Sequence, residues 1–184
     1  MNQKILEKTK QFEDLLLEFP EFRYIGDPIL RTPTQKVEVD EGVEIGKKLG
    51  AVLIKYRKFV GYGRGLAAPQ IGIQKSVFVT YLDDQIQTYI NPKIDNLSDE
   101  KNYYRELCLS CGFLWGDIKK PASITIQWTD ENGHIQEKVA EGVLARLLQH
   151  EYDHLQGICN LDIAELGSID FLITDPLQEK LRNA

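Results

Sequence analysis

Gln149-His150-Glu151-Tyr152-Asp153-His154-Leu155-Gln156-Gly157 is the stretch around which the rest of the chain has to be arranged. In a helix, residues four apart stack on one face, so His150 and His154 reach a single cation while Glu151 stands one step round from it. An HExxH triplet of this kind is a metal clamp with a carboxylate placed to act on a bound water. Upstream, Val143, Leu147, His150 and His154 fall at i, i+4, i+7 and i+11. The histidines therefore continue the stripe that the apolar residues of Glu141 to Leu148 are expected to bury. An imidazole pair facing the interior needs a partner such as a metal to offset its desolvation.

The chain around this helix has 184 residues, enough for one domain with a sizeable core and too few for two comfortable ones. A single domain is expected over 1–184: a helical extension at 1–22, a core at 24–164 and a tail at 165–184. With 42% hydrophobic and 27% charged residues, the composition is that of a globular protein, without low-complexity tracts or a fixed repeat. A net charge of −6 argues against a broad nucleic-acid footprint, which asks for a basic face. No apolar run approaches a membrane span, and the acidic residues near the start do not fit a targeting presequence, so a cytoplasmic address is expected. Three cysteines, Cys108, Cys111 and Cys159, are too few and odd in number for a secreted disulfide scaffold.

Helical spacing of Ile5, Phe12, Leu16 and Phe19 predicts an amphipathic helix at the N-terminus. A turn-rich loop over Gly26 to Pro33 links it to a second helix within Glu41 to Val60, ended by Gly61 and Gly63. Ser76 to Tyr81 and Thr88 to Ile90 read as strands around Asp83-Asp84, with Pro92 closing the second. Ile124 to Trp128 and Ile135 to Val139 alternate about Asp130-Glu131-Asn132-Gly133, a hairpin signal because Asn-Gly accepts positive φ. His134, beside that turn, reads as a solvated residue. Asp175-Pro176 predicts a short last helix through Leu181. The fold class expected is α+β, with small antiparallel sheets packed around a central metal-binding HExxH helix and an additional N-terminal helix.

A catalytic metal wants a third protein ligand and an open position. Cys108, within Arg105-Glu106-Leu107-Cys108-Leu109-Ser110-Cys111, is the better candidate, and Glu165 and Asp170 stay open on spacing alone. That segment reads as extended, which would point Cys108 and Cys111 to opposite faces. Gly63-x-Gly65-x-x-Ala68 imitates a dinucleotide fingerprint, but it follows a helix instead of a strand and does not open a helix on a pyrophosphate.

Three separated segments together resemble the peptide deformylase family. Gly63-Arg64-Gly65-Leu66-Ala67-Ala68-Pro69-Gln70-Ile71-Gly72 is similar to its GxGxAAPQxG, Glu106-Leu107-Cys108-Leu109-Ser110 to its EGCLS, and Gln149 to Gly157 to its QHExDHLxG, in matching order. The resemblance implies that Cys108, His150 and His154 bind one divalent ion, usually Fe(II) in this family, with zinc, nickel or cobalt as substitutes. It implies hydrolysis of the N-formyl group of formylmethionyl peptides on nascent chains, with formate released. Glu151 would move the proton, while the Gln70 side chain and the Leu109 N–H would hold the oxyanion. Gly63 and Gly65 would let the loop approach an extended peptide. Glu106 and Asp153 would orient the ligands.

The chain departs from the family pattern at two places. Leu107 stands where the family has Gly, and Cys111-Gly112 where it has a hydrophobic-Pro pair, both flanking the expected peptide groove. Arg64 and Arg146 fall where the pocket for the methionine side chain is commonly apolar, so either could shift preference toward a polar or acidic first residue, or both could reach out to solvent. The alternatives are a catalytically weak or altered-specificity relative, and a zincin-type peptidase with a third ligand other than Cys108.

Overall fold

The computed structural model describes residues 2–171; the helix expected over 175–181 lies outside them. It is a mixed helix-and-sheet fold, with antiparallel sheets and, among the described residues, three α-helices. In chain order these are α1 (Asn2–Glu18), α2 (Val39–Val60), β1 (Gly65–Ala67), β2 (Val77–Leu82), β3 (Gln85–Asp95), β4 (Lys101–Leu107), β5 (Leu114–Pro121), β6 (Ser123–Thr129), β7 (Ile135–Glu141), α3 (Gly142–Leu155) and β8 (Asp170–Phe171).

One sheet runs β1-β2-β3-β6-β7, and a smaller one runs β4-β5-β8. The larger sheet is covered on both faces. Val77, Val79, Leu66 and Ile90 pack with Ile45, Leu49, Leu53 and Tyr56 of α2. Phe78, Ala67, Tyr89 and Ile126 pack with Ala145, Leu148 and Leu155 of α3. Burial on both faces explains why β2 reads as the unbroken run Val77-Phe78-Val79 instead of alternating. Close approach of α2 is made possible by Gly42, Gly46 and Gly50, one turn apart: a Cβ at Gly42 would lie 2.7 Å from Ile90 Cγ2, and those at Gly46 and Gly50 would press on Thr88 and Ile86.

Four sequence expectations shift. In α1 it is Leu15, not Leu16, that turns inward, because Leu15 stands one turn from the buried Phe19 whereas Leu16 is 42% exposed. Within the loop expected over Gly26 to Pro33, Pro28–Arg31 forms a 3-10 turn capped by the Asp27 side chain, which accepts from Ile29 N at 3.0 Å. Pro92 does not close β3; the strand continues to Asp95 across a bulge between Ile90 and Lys93, where Asn91 takes a positive φ of 48° and the proline is spared a ladder hydrogen bond. The stripe of α3 that faces the core is Ala145, Leu148 and Leu155, while Val143 is 46% exposed and lines a cleft with Leu147. The histidines thus stand between core and cleft. The β6–β7 hairpin forms as expected, with Gly133 at φ 81° and His134 exposed beside Asp130. No helix among the described residues is long and apolar enough to cross a membrane.

Candidate metal centre

The free edge of β1 and the free edge of β4 face one cleft of about 450 Å3, floored by α3. Gly63, Arg64, Gly65, Gln70, Leu107, Cys108, Leu109, Arg146, His150 and Glu151, all singled out above, line it. Tyr56, Tyr62, Tyr104 and Trp115, which motif reading missed, supply aromatic walls. They come from α2, the loop after it, β4 and β5, and only folding brings them together.

At the cleft floor the ligand atoms of Cys108, His150 and His154 all lie within 4.8 Å of one another. Cys108 Sγ is 3.1 Å from His154 Nε2. Cys108 comes from the end of β4 and the two histidines from successive turns of α3, so the group exists only once the small sheet is laid against the helix. One soft thiolate and two imidazoles form a donor set suited to Fe(II), zinc, nickel or cobalt. Beside them Glu151 is buried, and its Oε2 has no hydrogen-bond partner among the described residues. A buried unpaired carboxyl oxygen next to three convergent donors fits a site meant to hold a cation and a polar substrate. Glu165 and Asp170, the other spacing candidates, stand elsewhere, with Glu165 bonded to the Tyr103 hydroxyl and Asp170 exposed on β8.

Electrostatics favour the thiolate form of Cys108. Burial alone would raise the Cys108 thiol, but the neighbouring Cys111 thiol and the charge of His150 bring it down to about 6. Burial pushes the Glu151 carboxyl up. His150 Nδ1 lies 2.7 Å from Glu106 Oε2, which leaves its other nitrogen for the ligand cluster. Glu106 is itself held by Arg146 Nη1 at 3.1 Å and Lys120 Nζ at 3.3 Å, and Lys120 also pairs with Asp153 at 2.8 Å. Lys120 carries no motif signal, and only the β4–β5 pairing brings it here.

Arg146 does not reach out to solvent. It is 5% exposed, its Nη2 donates to Asn102 O at 2.8 Å and Oδ1 at 2.9 Å, and its guanidinium lies over Tyr104. Arg64 is exposed at the cleft mouth. The Gln70 amide is oriented by Ala67 N–H, which donates to Oε1 at 2.8 Å, so that Nε2 points to Ser110 Oγ at 3.2 Å and Cys108 Sγ at 3.5 Å. A Cβ at Gly65 would lie 2.7 Å from Glu151 Cγ and overlap its carboxyl, so the missing side chain makes room for Glu151 itself.

Cys108 and Cys111 do not sit on an extended strand. The backbone turns after Cys108 into a 3-10 turn over Leu109–Cys111, with Cys111 N–H donating to Cys108 O at 3.0 Å. Both thiols consequently lie in one buried cluster, where Cys111 Sγ donates to Asn160 Oδ1 at 3.1 Å.

A cleft between two sheet edges, ending at a buried thiolate, two imidazoles and an unpaired carboxyl, defines a hydrolase of the metal-site class. Comparison with known proteins gives the particular kind. A family model described as polypeptide deformylase matches residues 20–167. Peptide deformylase of Treponema pallidum is 38% identical over 143 residues, covering 77% of this chain and 86% of that one. The enzyme of Dictyoglomus thermophilum is 41% identical over 145 residues, covering 78% and 92%. Among solved structures, a Synechococcus elongatus peptide deformylase in complex with actinonin superposes with a TM-score of 0.70 at 35% identity, covering 79% of each chain. That of Thermotoga maritima gives 0.70 at 32%, covering 78% and 96%. The chain belongs to the polypeptide deformylase family.

Proposed function

We propose that this enzyme is a peptide deformylase that removes the N-formyl group from formylmethionyl peptides of nascent chains, releasing formate, with one divalent ion held by Cys108, His150 and His154. The observation that carries the reading is the convergence of those three donors beside the unpaired carboxyl of Glu151 at the closed end of a peptide-sized cleft. When bound, the ion supplies Lewis acidity and acidifies its water. Fe(II) is the ion we assign, with zinc, nickel or cobalt able to replace it.

The residues divide the remaining work. An extended peptide adds as a strand between the free edges of β1 and β4, bonding main chain to main chain near Gly65 and Leu107. Glu151 accepts the proton of the attacking water and returns it to the leaving amine; its raised pKa brings it nearer the working pH, as a shuttling acid-base requires. Gln70 Nε2, held in place through Ala67 N–H, and the Leu109 N–H stabilise the developing oxyanion. Glu106 fixes the His150 ring, and Lys120 with Arg146 fix Glu106. Val143, Leu147 and Tyr104 give the first side chain an apolar bed. A cytoplasmic address, where formylated nascent chains arise, belongs to the same reading. Matched formyl-Met-Ala-Ser and acetyl-Met-Ala-Ser test it: formate release without comparable acetate release is expected, and equal cleavage of both, or of an internal peptide bond, would overturn it.

A further inference from the structure

Behind the cleft floor Cys108 is accompanied by two buried thiols, Cys111 and Cys159, that deformylation does not use. Cys108, Cys111 and Cys159 share one buried cluster with Leu30, and the Cys111 thiol donates to Asn160 Oδ1 at 3.1 Å. Cys108, itself only 1% exposed, is the one of the three that lines the cleft. In the turn that carries Cys108 and Cys111, side chains at i and i+3 eclipse. The Cα atoms of such a turn lie within roughly 7 Å, overlapping the range a disulfide spans.

We propose that Cys111 is a resolving thiol for Cys108, turning oxidation at the cleft into a reversible Cys108–Cys111 disulfide. The oxidant is a hydroperoxide. The Cys108 thiolate attacks its distal oxygen, the O–O bond breaks, and Cys108 sulfenic acid forms with loss of hydroxide or alkoxide. The Cys111 thiol then attacks the Cys108 sulfur, the S–O bond breaks, and water leaves. Two thiols are oxidised by two electrons and one peroxide is reduced. The bridge diverts Cys108 from the irreversible sulfinic acid. It also withdraws the thiolate from the donor set, a consequence that rests on the metal reading given above.

The test uses zinc-loaded protein, since zinc has no redox chemistry of its own. It is treated with hydrogen peroxide, alkylated and mapped by mass spectrometry, with zinc release followed by a chromogenic chelator. The expected product carries Cys108 and Cys111 in one peptide, unalkylated and short of two hydrogens, with Cys159 alkylated; dithiothreitol restores both thiols. Cys159→Ser keeps the bridge. Cys111→Ser instead accumulates Cys108 sulfinic acid that dithiothreitol does not reverse. Wild-type protein that yields Cys108 sulfinic acid beside a free Cys111, or a Cys111–Cys159 bridge, would overturn the proposal even if the Cys111 variant failed to fold. A bridge forming without zinc release would contradict Cys108 as a ligand and leave the thiol chemistry standing, so the two readings fail separately.

Discussion

His150 Nδ1 and Glu106 Oε2 are 2.7 Å apart, and every other contact of that carboxylate serves to keep them so. Removing the carboxylate charge should loosen the ring without removing a ligand. Glu106→Gln is expected to weaken metal binding by about 10- to 100-fold, read by competition against a chelator. Unchanged affinity would show that the pair is structural only.

The same carboxylate should leave a signature in acid. Burial alone would raise its pKa, but Lys120, His150 and Arg146 outweigh burial and hold it at about 2, below the ordinary 4.5. A depressed folded-state pKa gives stability that is full above the unfolded value and is lost as pH falls from about 4.5 through about 2. Its size is about 3 kcal/mol. Urea unfolding of the metal-free protein across that window should show a steeper pH slope for wild type than for Glu106→Gln; parallel slopes would refute the linkage.

Gly65 leaves no room for a methyl group because Glu151 occupies the space. Gly65→Ala should displace the carboxyl and lower kcat by about 10²- to 10⁴-fold, the worth of a positioned general base. Metal content measured in the same preparation should stay at the wild-type level.

Arg146 lines the cleft, but its charge is already committed to Glu106 and Asn102. A neutralised guanidinium gives an acidic side chain no advantage. Formyl-Met peptides should therefore exceed formyl-Glu peptides in kcat/KM, and a reverse order that persists in Arg64→Ala would show Arg146 reaching the substrate.

Much of this was legible in the sequence, because the helix period alone places His150 and His154 on one face and puts Glu151 beside them. Cys108 needed the comparison of three motifs, since a small residue among apolar neighbours looks like packing until β4 is laid against α3. The 3-10 turn after Cys108 was not legible: nothing in Leu-Ser-Cys-Gly demands it, and it forms because the chain must leave β4 and return along β5. Val143 misled for a related reason, as a cleft wall and a core face follow the same helical period. Lys120 stayed hidden because a buried lysine is recognised by its partners, here Glu106 and Asp153 on other elements.

The most direct test of the account is formate release from formyl-Met-Ala-Ser by anaerobically prepared, Fe(II)-loaded protein, with Glu151→Gln assayed beside it and iron measured in both. Release by the wild type that falls by orders of magnitude in the variant, at about one iron per chain in each, is the predicted result. No release from iron-loaded wild type, or release that survives Glu151→Gln, would contradict it.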